Sequence, residues 1–270
     1  MPEKEHPVNT VVSADGTAIA YSRAGQGPAV ILVDGAMCHR AMGPAEPLAK
    51  LLADSYTVYT YDRRGRGDSG DTAPYCVERE VEDLDALIKE AGGSAYVYGI
   101  SSGAVLACDA AARLGGVRKL AVYEPPFVVD GAHEARPDDY LDKMDTMIAQ
   151  DRRGDAVTTF MKTVGVPGFV VAIMKLTPNF KKLKAVAHTL PYDFRVLGDT
   201  GRGRPLDASR WAGAQLPALV MDGGKSPAYM RNGAKALSQA LPSAGYRTLP
   251  GQTHLLKPEA VAPVLKEFFV

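Results

Sequence analysis

Apolar and polar positions along this chain follow one rhythm at both ends and another in the middle. Val8–Val12 and Ala18–Arg23 are short β-prone runs on either side of Asp15-Gly16, and together they predict a two-residue hairpin. Ala29–Val33 is an unbroken apolar run ending at Asp34-Gly35, as expected for a strand buried on both faces of a parallel sheet. Beyond it the pattern predicts a helix over Pro47–Ala53, a strand over Tyr56–Tyr61 and a helix over Val81–Ala91. A strand over Ala95–Tyr98 then runs straight into Gly99, followed by a helix over Ala104–Leu114 and a strand over Lys119–Tyr123. The alternation returns late, with strands at Ala218–Met221 and Tyr246–Leu249 and helices at Ala228–Leu241 and Pro258–Phe269. Alternating strands and helices imply βαβ units, hence a mostly parallel sheet with helices on both faces.

Between Pro125 and Leu216 this rhythm is lost. Helical spacing is found at Asp138–Gln150, Ala156–Val164 and Phe169–Leu176, with no strand between them. The segment reads as a helical insertion lying over one end of the sheet. Residues 1–124 and 217–270 would then form the core domain, and 125–216 a cap. Met144, Met147, Met161, Met174, Phe169 and Phe180 would give such a cap an apolar, adaptable lining, although at helical spacing these residues more commonly fill a core.

Composition narrows the picture. The 270 residues suit one domain with an insertion or two small domains. Hydrophobic residues make up 46% and charged residues 23%, as in an ordinary globular enzyme. Lys plus Arg and Asp plus Glu are 31 each, so there is no basic surplus of the kind nucleic-acid binding needs. No run is apolar and long enough to span a membrane, and the N-terminal MPEKEHPVNT lacks the apolar stretch of a signal peptide. Cys38, Cys76 and Cys108 are odd in number and scattered, which suggests reduced thiols and a cytoplasmic location. The expected partner is a small-molecule substrate, with no nucleic acid and no membrane; a homodimer is compatible with this.

Gly99-Ile100-Ser101-Ser102-Gly103 carries the chemistry. It fits G-x-S-x-G, and its context matters more than the match: a β-rich run precedes it and an Ala-rich helix follows. So sharp a strand-to-helix turn puts Ser101 above the sheet edge, with glycines where side chains would collide. A Gly/Ser turn without chemistry is the plain alternative. A serine hydroxyl needs a base near neutral pH. Of His6, His39, His133, His188 and His254, the last lies in Gly251-Gln252-Thr253-His254, between a strand and the final helix, at the same sheet edge. His254 is therefore the candidate base, while His39 could line the pocket.

With these segments in place, the chain resembles the α/β-hydrolase superfamily over nearly its whole length. The elbow Gly99–Gly103 matches, as does the terminal G-x-x-H. Asp62-Arg63-Arg64-Gly65-Arg66-Gly67-Asp68-Ser69 is similar to the superfamily's D-x-R-G-x-G-x-S segment, and Asp34-Gly35 stands where His-Gly is usual. The resemblance implies an eight-stranded α/β-hydrolase fold and an oxyanion hole of two backbone N–H groups, one from Ser102 and one from the Gly35-Ala36 turn. It departs at the acid. Where Asp is usual, Gly223-Gly224-Lys225-Ser226 offers a hydroxyl that cannot balance an imidazolium. Some members place the acid one strand earlier, here Glu124 in Tyr123-Glu124-Pro125-Pro126. A Ser-Ser-Gly elbow paired with such a Glu resembles the zearalenone-lactonase group. Asp222 is the alternative acid.

These parts imply hydrolysis of an ester or lactone through an acyl-enzyme, with no metal and no organic cofactor. Acyl transfer and C–C bond hydrolysis use the same groups. The hydroxyl at Ser226 also keeps open a slow-turnover small-molecule receptor.

Overall fold

In the computed structural model, which describes residues 8–270, the apolar runs form strands β1 (Asn9–Val12), β2 (Ala18–Ala24), β3 (Ala29–Val33) and β4 (Thr57–Tyr61). Strands β5 (Ala95–Ile100), β6 (Val117–Tyr123), β7 (Ala218–Gly223) and β8 (Ala244–Leu249) follow. His6 and the rest of residues 1–7 lie outside the described residues. The eight strands form one sheet in the order β1-β2-β4-β3-β5-β6-β7-β8. Every pairing is parallel except β1–β2 and β2–β4.

Helices α1 (Ala45–Leu52), α2 (Val77–Glu90), α3 (Ser102–Arg113), α9 (Ala228–Ala240) and α10 (Pro258–Phe268) connect or follow these strands. Residues from the two faces of the sheet enter two separate cores. Ile31, Val33, Val97 and Val122 pack with α2, α3 and α9, whereas Val30, Leu32, Tyr98 and Ala121 pack with α1 and α10. Period-two alternation within a strand that is apolar on both faces produces this division.

Between β6 and β7 the chain is helical: α4 (Tyr140–Ala149), α5 (Arg153–Thr163), α6 (Gly168–Met174), α7 (Pro178–Val186) and α8 (Leu190–Leu197). The pattern located the first three of these and missed α7 and α8. Only Phe180 and Val186 of α7 are buried, so its apolar stripe is faint, and α8 carries a proline in its first turn. Met144 and Phe180 are core residues, as their spacing suggested. Phe169 is 70% exposed, so it is neither a core residue nor part of a buried lining, which corrects the expectation for it.

Several boundaries shift by a few residues, and one turn differs in type. Helix α2 begins at Val77 rather than Val81, because Glu78 and Glu80 occupy its first turn and break the apolar pattern there. The β1–β2 turn is not a two-residue one. The Gly16 N–H bonds to Ser13 O at 2.9 Å, Ser13 pairs with Thr17, and only Gly16 takes positive φ, whereas the two-residue type requires it at Asp15 as well.

Candidate active site

All the candidate groups emerge from the C-terminal edge of the parallel strands, where open α/β sheets gather ligands. Among the described residues, four non-glycine residues have positive φ, and three of them lie in the segments just after β3, β5 and β6: Met37 (61°), Ser101 (58°) and Glu124 (44°). Strain concentrated at one edge points to function there.

Ser101 sits at the turn from β5 into α3 with φ 58° and ψ −129°. Its N–H donates to the Tyr123 carbonyl at 3.0 Å, which ties the elbow to the end of β6. The flanking glycines are sterically required. A Cβ on Gly99 would lie 2.5 Å from Gly103 O and 2.8 Å from Ala104 Cα, and one on Gly103 would collide with the carbonyl oxygens of Val33 and Asp34. Gly35 packs directly on the serine, since a Cβ there would come within 2.9 Å of Ser101 Cβ.

Glu124 follows β6 and is fully buried. Its Oε1 accepts from the Gly223 N–H at 2.7 Å, and its Oε2 lies 2.9 Å from His254 Nδ1. The His254 side chain is 32% exposed and comes from the loop after β8. That loop is tied to the sheet by the Tyr123 hydroxyl, which donates to Thr253 O at 2.7 Å. Asp222 is buried too but faces elsewhere, with its Oδ2 accepting from the Tyr246 hydroxyl at 2.7 Å. Thus Glu124, and not Asp222, meets the imidazole. Ser226 Oγ is buried without a partner. Ser101 Oγ and the His254 ring are not in hydrogen-bond contact, a separation common before substrate is bound.

Behind Ser101 and Gly35 lies a buried charge network. Arg63 forms a two-pronged pair with Glu80, at 2.6 and 2.7 Å. Asp193 of α8 accepts from Arg63 at 2.8 Å and from the Ser102 hydroxyl at 2.7 Å through Oδ1, and from Arg66 at 2.7 Å through Oδ2. Arg66 also donates to Gly35 O at 2.8 Å and to Thr189 Oγ1 at 3.0 Å. Burial alone would raise the carboxyl of Asp193, but the Arg66 and Arg63 charges outweigh it and hold it below the ordinary carboxylate range. Asp34 is the opposite case: burial dominates over the Arg66 charge and pushes its carboxyl up to about 7.

Asp193 and Thr189 escaped the sequence reading because α8 did. The available signal was a lone acid in Leu190-Pro191-Tyr192-Asp193-Phe194, a largely apolar stretch. The Arg63 and Arg66 positions were visible within their motif, but their partners were not. Among the described residues, no group of three or more His, Cys, Asp or Glu is placed to hold a metal ion, and no helix is long and apolar enough to cross a membrane. Cys38, Cys76 and Cys108 are free.

The chain belongs to the alpha/beta hydrolase family, whose pattern it matches over residues 14–264. It is similar to an alpha/beta hydrolase from Sphaerobacter thermophilus DSM 20745, with 52% identity, a TM-score of 0.89 and coverage of 97% of this chain and 100% of that one. An enol-lactonase from Burkholderia xenovorans LB400 shares the fold at 19% identity and a TM-score of 0.65, over 97% of this chain and 99% of that one. The uncharacterized hydrolase YraK of Bacillus subtilis (strain 168) is 38% identical over 112 residues, 39% of this chain and 40% of that protein. The chain thus matches well under half the length of its curated relatives.

Proposed function

We propose that this member of the alpha/beta hydrolase family cleaves an ester or lactone of a small apolar molecule through an acyl-enzyme. Ser101 is the nucleophile, His254 the general base and Glu124 the acid that fixes the imidazole tautomer and stabilises its cation. The backbone N–H groups of Ser102 and of the Gly35-Ala36 turn receive the oxyanion. His254 then protonates the leaving oxygen and activates the water that releases the acyl group. Helices α4–α8 act as the cap over this edge of the sheet.

One observation carries the reading: the buried Glu124 carboxylate lies 2.9 Å from His254 Nδ1, beside an elbow whose serine has φ 58°. A charged acid on the imidazole is the part that a binding-only relative could dispense with. Lactones are included because the Ser101-Ser102-Gly103 elbow with a carboxylate after β6 is the combination that resembles the zearalenone-lactonase group.

The test is a panel of p-nitrophenyl esters of rising chain length run beside lactones, with fluorophosphonate labelling of Ser101. Ser101→Ala and His254→Ala should each cost at least about ten-thousandfold in turnover while the fold survives, because the groups act as a unit. Near-normal turnover by folded Ser101→Ala would overturn the proposal.

A further inference from the structure

We infer that Asp193, contributed by the insertion, is the positioning residue that sets both halves of the oxyanion hole. The inference rests on the hydrolytic reading above, since it concerns the hole that reading requires.

One carboxylate reaches both donors. Through Oδ1 it accepts from the Ser102 hydroxyl at 2.7 Å, so the residue supplying one oxyanion N–H is pinned by its own side chain. Through Oδ2 it accepts from Arg66 at 2.7 Å, and the other arm of that guanidinium donates to Gly35 O at 2.8 Å. Gly35 C=O and Ala36 N–H belong to the same peptide. A trans peptide holds its C=O and N–H in opposite directions in one plane, so gripping the carbonyl fixes where the Ala36 N–H points: away from Arg66. A hydrogen bond to the carbonyl also polarises the peptide and strengthens its N–H as a donor. The same guanidinium reaches Cys38 O at 3.4 Å and Thr189 Oγ1 at 3.0 Å, so the turn after β3 is held at two carbonyls and tied to the insertion.

Charge does not explain this arrangement as well as position does. Arg63 and Arg66 are balanced by Glu80 and Asp193, all at most 2% exposed. Removing the Asp193 charge leaves a net positive charge behind the hole, which by Coulomb's law favours an oxyanion. A rate loss on neutralising Asp193 therefore runs against the electrostatic sign and reports lost geometry.

The experiment compares ester hydrolysis and inhibition by phenylboronic acid, a tetrahedral analogue, in wild type, Asp193→Asn, Ser102→Ala and the charge-balanced double variant Asp193→Leu with Arg66→Met. Should Asp193→Asn unfold, the double variant remains informative, because exchanging a buried ion pair for apolar groups commonly preserves stability. The expected result for Asp193→Asn and the double variant is a kcat lowered about 10- to 100-fold, a KM within about threefold, and boronate affinity falling in parallel with kcat. Ser102→Ala, which cuts one arm only, should lose less. Folded variants with wild-type kcat would overturn the inference and leave the hydrolytic reading intact. A wild type that turns over no ester or lactone and leaves Ser101 unlabelled would overturn both.

Discussion

Glu124→Gln changes almost no volume and should nevertheless remove most of the activity. The wild-type carboxylate has two obligations: Oε1 accepts from the Gly223 N–H at 2.7 Å, and Oε2 lies 2.9 Å from His254 Nδ1. A backbone N–H can only donate, so the glutamine must turn its carbonyl oxygen to Gly223. Its NH2 then faces His254, and Nδ1 can meet it only as an acceptor. That forces the proton onto Nε2, the nitrogen that must be free to take the Ser101 proton. The acid is thus replaced by a group that holds the wrong tautomer and offers no charge to the imidazolium. The analogous change in a serine triad costs about ten-thousandfold, so a kcat loss of about a hundredfold to ten-thousandfold is expected, about 3–5 kcal/mol of transition-state stabilisation, with KM little changed. Stopped-assay hydrolysis of p-nitrophenyl acetate gives the rates, and 15N NMR of labelled histidine reports the tautomer directly. A folded Glu124→Gln enzyme within threefold of wild type, or one whose His254 keeps its proton on Nδ1, would refute this reasoning.

Other perturbations separate the parts. Asp222→Asn should leave turnover within about threefold of wild type in the same ester assay, because its carboxylate serves Tyr246 and not His254. Gly103→Ala should lower the urea midpoint sharply or prevent folding, since the new Cβ meets the Val33 and Asp34 backbone, which cannot give way as a flexible side chain can. Asp34→Asn should gain stability relative to wild type as the pH rises. Burial lifts the Asp34 carboxyl from 3.8 to about 7, so the folded protein keeps a proton that the unfolded chain has lost. The stability linked to that proton is complete below about pH 4 and lost as the pH passes about 7, a change of about 2–4 kcal/mol that urea titrations at pH 5 and 8 would detect. A pH-independent difference between the two proteins would refute it.

What the sequence revealed depended on how local the signal was. Strand β3 was legible to the residue, because a strand buried on both faces needs an unbroken apolar run and Ala29–Val33 supplies one. The elbow was legible because its conformation demands small residues at fixed offsets. Glu124 could be found by following the end of a strand to the sheet edge. Helix α8 was not legible, since Pro191 and Asp193 disguise it, and Asp193 is explained only by partners 91 to 130 residues away in the chain. Buried charges are placed by long-range pairing, which no periodicity records.

The two halves of the proposed machinery consequently have different foundations. Acid and base are held by the sheet: Glu124 by the Gly223 N–H at the end of β7, and the His254 loop by the Tyr123 hydroxyl from β6. Neither contact involves helices α4–α8. The oxyanion donors are held from the insertion, through Asp193 and Thr189. Displacing α8 should therefore weaken stabilisation of the tetrahedral charge while leaving the imidazole correctly oriented. On this division the docked position of the insertion becomes a condition for fast chemistry in the proposed mechanism, acting through named hydrogen bonds.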